Sequence, residues 1–118
     1  MIFYTVLNTD RKEFIEFIKS VLNDIGLEIE NNVVIKENSV HILGKYSNCN
    51  IKITVFNHEV EFKLLQTDTS KVVDTKKVSL PSNHKSMYTD KGFLAYRSMI
   101  EFILQDLKEI NDNSYLIN

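Results

Sequence analysis

The sequence predicts one α+β domain, in which an antiparallel sheet of about five strands carries an N-terminal and a C-terminal helix on one face. Three observations lead there. Apolar residues recur at three- and four-residue steps near residues 10–25 and again near 90–111, which is the period of an amphipathic helix. Most of the chain between them alternates apolar and polar residues, which is the period of a half-buried strand. The length, 118 residues, suits one domain with a core of its own. The expected order is β-α-β-β-β-β-(β)-α.

Ile2 to Leu7 reads as a short opening strand, apolar and β-prone, stopped by Asn8-Thr9. The first helix is expected to start at Thr9 or Asp10, with Asp10 and Glu13 at capping-box spacing. Phe14, Phe17, Ile18, Val21, Leu22 and Ile25 form its apolar stripe, with Ile15 at the edge. That stripe is about 160° wide, broad enough for a helix lying flat on a sheet. Gly26 is placed to cap the C-terminus.

Strands are expected at Leu27–Glu30, Val33–Ile35 and Ser39–Tyr46, with turns at Asn31-Asn32 and at Ser47-Asn48-Cys49-Asn50. The clearest unit is a hairpin. Ile51, Ile53 and Val55 alternate with polar neighbours, Asn57-His58 turns, and Val60, Phe62 and Leu64 alternate again. These residues, with Val40 and Ile42, make the expected inner face. Lys71–Leu80 is a weaker strand whose lysines suit a sheet edge. The polar stretch Pro81–Lys91 leads to a second helix starting after Thr89 or Asp90. Its apolar face is Phe93, Tyr96, Ile100, Ile103, Leu104, Leu107 and Ile110, with Met99 at the margin and a frayed tail beyond Asn111.

Composition narrows the function. An apolar fraction of 43% with 25% charged residues excludes wholesale disorder. One cysteine, Cys49, forms no internal disulfide and favours a reducing compartment. No secretory leader or membrane span is legible, so a cytoplasmic location and no membrane partner are expected. Heavy use of Ile, Asn and Lys, beside one alanine and two arginines, points to an AT-rich microbial or viral gene. The net charge of −2 lacks the basic surplus of a general nucleic-acid binder. Residues 71–91, with five bases and two acids, are the local exception.

The chemistry-bearing residues do not form a catalytic set. His41, Cys49, His58 and His84 lack the tight spacing of zinc ligands. Glu59 and Glu61 share a strand face, but cross-strand pairing with Lys52 accounts for them without acid–base catalysis. Cys49 has no base or cation at a recognisable spacing, and three scattered glycines make no phosphate loop. No enzyme activity, cofactor or metal is therefore expected.

The leading expectation is a small protein-binding module, an inhibitor or immunity-type protein that masks an enzyme or toxin by steric and electrostatic complementarity. A basic partner would meet the acidic helix face of Glu13, Glu16 and Asp24. An acidic partner would meet the basic segment and loop, through Lys76, Lys77, His84, Lys85, Tyr88 and Lys91. Phe56 and Leu65 on the outer sheet face, and Leu94 and Phe102 off the second helix, are further candidates, and they also suit a homodimer. Two alternatives stay open. The element order also describes helix-grip folds, whose curved sheet encloses an apolar ligand cavity, an analogy of fold alone. The segment 71–91 would otherwise serve as a nucleic-acid contact module.

Overall fold

The computed structural model describes the backbone of residues 2–30, 33–66, 71–81 and 87–117, and the side chains of 12–30, 33–66, 71–81 and 87–113. Its elements are α1 (Ile2–Ile25), β1 (Glu28–Ile29), β2 (Val34–Ile35), β3 (Val40–Tyr46), β4 (Cys49–Val55), β5 (Glu59–Leu65), β6 (Val72–Ser79) and α2 (Asp90–Ile117). The architecture is the expected α+β: one antiparallel sheet with an N-terminal and a C-terminal helix.

The opening strand is not formed. Residues 2–7 instead extend α1 to 24 residues. No glycine or proline interrupts the chain between Ile2 and Ile25. Adding turns to an existing helix needs no new nucleus, so continuity overrides local β-propensity. For the same reason Thr9 and Asp10 lie inside the helix and not at its start. Gly26 ends α1 as expected, at φ 103°. Its amide donates to the Asn23 carbonyl at 3.1 Å, and the Leu27 amide donates to the Leu22 carbonyl at 3.0 Å. That pair of bonds is a Schellman closure, and Leu22 and Leu27 are both buried beside it.

The sheet order is β1-β3-β4-β5-β6, with β2 also paired to β3. β1 and β2 therefore share one edge, as two short pieces of an interrupted strand along β3. Ile29 pairs Gly44 and Val34 pairs His41, so the edge piece spends five steps where β3 spends three. The expected turn residues Asn31 and Asn32 lie in that interval, outside the described residues. Gly44 is needed where this edge crosses: a Cβ there would stand 2.4 Å from Leu27 Cδ2 and 2.9 Å from the Glu28 carbonyl oxygen.

The β3–β4 turn is shorter than expected. Ser47, at φ 56°, allows Tyr46 to pair Cys49, so Cys49 begins β4 and is buried instead of lying in a turn. The β4–β5 hairpin turns at Asn57-His58, and Phe56 donates its amide to the Glu59 carbonyl at 2.9 Å. Across the inner face run the rows Val40–Val55–Val60–Val78 and Ile42–Ile53–Phe62–Lys76. The apolar members of both rows are buried. Each such side chain contributes about 1.5–3 kcal/mol relative to an exposed one.

Both helices cover this face. Phe14, Ile18, Val21 and Leu22 of α1 and Ile100, Leu104 and Leu107 of α2 are buried in one cluster with it. Thr89 caps α2, its hydroxyl accepting from the Gly92 amide at 3.0 Å. The helix continues through Ile117, so the tail expected to fray after Asn111 is helical. One ion pair joins the two helices and another joins helix to sheet. Arg97 of α2 bonds Asp24 of α1, and Lys76 on the edge strand reaches Asp106 of α2 at 3.2 Å.

Candidate functional site

The two amphipathic helices take the inner face of the sheet, so the outer face has no layer over it among the described elements. Its side chains are set by register. Lys52 of β4 pairs Lys63 of β5, Leu43 of β3 pairs Lys52, and Leu65 pairs Val72 of β6. At the far edge Val34 of β2 pairs His41 of β3. These residues, with Lys36 just after β2, line an open groove of about 470 Å³. It runs diagonally over the strands, from the β2 edge to the β6 edge.

The groove is basic and apolar together. Its lining holds three lysines, one histidine and four aliphatic side chains, and no carboxylate. Lys63 is balanced by Glu61, at 3.2 Å along the same strand. No carboxylate among the described residues lies within ion-pair distance of Lys36 or Lys52. Lys52 and Lys63 stand directly opposite each other, a like-charge pair that destabilises a sheet. His41 sits among them, its Nε2 2.9 Å from the Ser39 hydroxyl. Burial, followed by the charges of Lys36, Lys52 and Lys63, pushes its imidazole below the ordinary histidine range. In a chain of net charge −2, this is a local concentration of positive charge on an apolar floor.

Among the described residues, Leu65 is the one sequence-predicted candidate that lies in this groove. The expected pairing of Glu59 and Glu61 with Lys52 does not occur; Glu59 and Glu61 instead pair Lys77 across to β6, at 3.6 and 3.8 Å. Lys77 is thereby engaged on the outer face. Lys76 points to the helix side, where hydrogen bonding and the charge of Asp106, with Asp74, push its ammonium above the usual lysine range. Asp24 is committed to Arg97. Tyr88 is half-buried with its ring 5.2 Å from that of Phe17, so it packs on the core rather than projecting from a loop. Met87 beside it is buried, a core residue in a stretch that reads as polar. Phe56 is half-buried at the hairpin end, and Lys91 is exposed at the start of α2. Glu13 and Glu16 are exposed on α1, with Glu16 3.8 Å from Lys19. His84 and Lys85 lie outside the described residues.

Leu94 and Phe102 are exposed as their position on the helix predicts, at 62% and 75%, with Met99 between them at 44%. Leu94 and Phe102 lie on the side of α2 away from its buried face, about 80° apart, and Met99 lies at the margin of that face. Among the described residues no group of three or more metal-ligating side chains converges, and no helix is long and apolar enough to cross a membrane. Burial above all pushes the Cys49 thiol above its ordinary range, the reverse of what a nucleophile needs.

The groove residues missed by the sequence reading are Val34, Lys36, His41, Leu43, Lys52, Lys63 and Val72. One signal for the central pair was present. A two-residue turn at Asn57-His58 sets Phe56 against Glu59, and counting outward in pairs sets Lys52 against Lys63. No protein-family model matches this chain, and no curated protein and no solved structure shows significant similarity to it.

Proposed function

We propose that this domain is a small cytoplasmic protein-binding module of the inhibitor or immunity type, and that it masks an acidic surface of its partner with the outer face of its sheet. The observation that carries this reading is the Lys52–Lys63 pair. A free-standing sheet gains nothing from opposed lysines on an apolar floor, whereas an acidic partner turns the repulsion into attraction. Complementary potential also steers encounter and rejects partners of the wrong sign. The basic contact expected in residues 71–91 moves, on this reading, to Lys36, Lys52 and Lys63, because Lys76 and Lys77 are already paired within the domain.

The test is affinity capture from lysate of the source organism, comparing the natural domain with Lys36→Glu/Lys52→Glu and with Glu13→Lys/Glu16→Lys. One protein held in stoichiometric amount by the natural and helix-reversed domains, and lost from the groove-reversed one, is the expected result. Equal retention by all three refutes the assignment of the surface.

A further inference from the structure

We infer that the groove takes an extended acidic segment of the partner, about seven residues long, in which two acidic side chains lie between two apolar ones on the face turned to the sheet. The inference rests on the proposed function and adds the chemistry of what is recognised. It follows from the order of the lining residues along the groove. At one end Val34 and Leu43 are apolar; at the other, Leu65 and Val72 are apolar. Lys52 and Lys63 occupy the middle, and Lys36 stands at the β2 end. An occupant complementary to the aliphatic ends and to the Lys52–Lys63 centre is therefore apolar, acidic and apolar in turn, with Lys36 and His41 beside its first apolar residue.

Length gives the register. From the β2 edge to β6 there are four inter-strand spacings of about 4.8 Å, and the register moves about four residues along the strands, so the diagonal is roughly 23 Å. An extended chain rises about 3.3 Å per residue and turns alternate side chains to one face, so seven to eight residues span about 20–23 Å and present four of them. The pattern is apolar-x-acid-x-acid-x-apolar. Recognition must come from side chains here. β3, β4 and β5 are each paired on both sides, so the groove floor has no free ladder to which a strand could be added. The volume of about 470 Å³ lies within the range of sites that hold a few side chains or a small molecule.

The experiment uses the full chain and four capped probes, titrated by amide NMR at low ionic strength. They are Leu-Ser-Glu-Ser-Glu-Ser-Leu, its glutamine counterpart, the reordered Glu-Ser-Leu-Ser-Leu-Ser-Glu, and a hexamer of thymidylate. Shifts confined to the groove, with the first peptide at least tenfold tighter than the second and third, are expected. Lys52→Glu should weaken that peptide at least tenfold, and Leu65→Ser several-fold with no change in its salt dependence. Equal affinity for the reordered peptide overturns the pattern. Tighter binding of the thymidylate, lost in Lys52→Glu, reassigns the groove to nucleic acid. Failure of every peptide, while capture of the whole partner still depends on Lys36 and Lys52, refutes this inference and leaves the proposed function standing; capture indifferent to those lysines refutes the function itself.

Discussion

Replacing Lys52 with glutamate should stabilise the free domain while removing the binding proposed for the groove. Lys52 faces Lys63 directly across the β4–β5 ladder, with Lys36 and His41 nearby and no carboxylate of its own among the described residues. The substitution turns a like-charge cross-strand pair into an opposite-charge one. Each such pair is worth roughly 0.2–1 kcal/mol, so the full swing is about 0.4–2 kcal/mol. Lys63 is already shared with Glu61 and is about a third exposed. Solvent screening therefore places the gain near 0.5–1 kcal/mol. For a domain of this size that raises Tm by about 2–5 °C. Urea unfolding and calorimetry at low salt should show the gain, and at 1 M salt, where the Debye length is about 3 Å, most of it should vanish. Lys52→Gln should fall between the two. A loss of stability at low salt, or a gain that salt does not touch, would refute the reasoning.

Three other outcomes follow from the core and the groove. Phe62 is wholly buried at the centre of the inner face, so Phe62→Ala should cost about 3–5 kcal/mol in urea unfolding, with a much smaller cost ruling out its central position. Gly44→Ala should cost about 1–3 kcal/mol, because the added Cβ meets Leu27 and the backbone of Glu28; unchanged stability would mean that β1 does not cross there. His41 has a folded-state pKa below its unfolded value, so the unfolded chain binds the proton more readily. Its contribution is present above the unfolded value of about 6.5 and is lost as pH falls through that value toward the folded one. His41→Gln should flatten the fall in stability between pH 7 and 5, measured by urea midpoints, and an unaltered slope would count against the lowering of its pKa by burial and the neighbouring lysines.

The core was legible because two periods carry it. Residues at even steps, such as Ile51, Ile53 and Val55, and residues at helical steps, such as Ile18, Val21 and Leu22, all point inward whatever the details of the turns. Helix extent was less legible, since Ile2–Leu7 has strand-like residues that local propensity alone cannot place in a helix. Cys49 went astray for a backbone reason: the left-handed Ser47 shortens a turn that reads as four residues. The groove was hidden for a different reason. Alternation assigns a residue to a face but not to a neighbour, and Lys52 looks compensated until the register sets it against Lys63. Lys36, His41 and Val34 reach the same place only through the β2–β3 edge pairing, which no local pattern encodes. Leu94 and Phe102 were visible from helical spacing alone.

Lysine footprinting of the captured complex tests the central claim most directly. Reductive methylation followed by mass spectrometry would compare each lysine in the free domain and in the complex. Lys36, Lys52 and Lys63 should be protected by the partner, while Lys12, Lys19 and Lys91 react as they do in the free domain. Groove lysines that react equally in both states, with protection falling on the helices instead, would contradict the assignment of the outer sheet face.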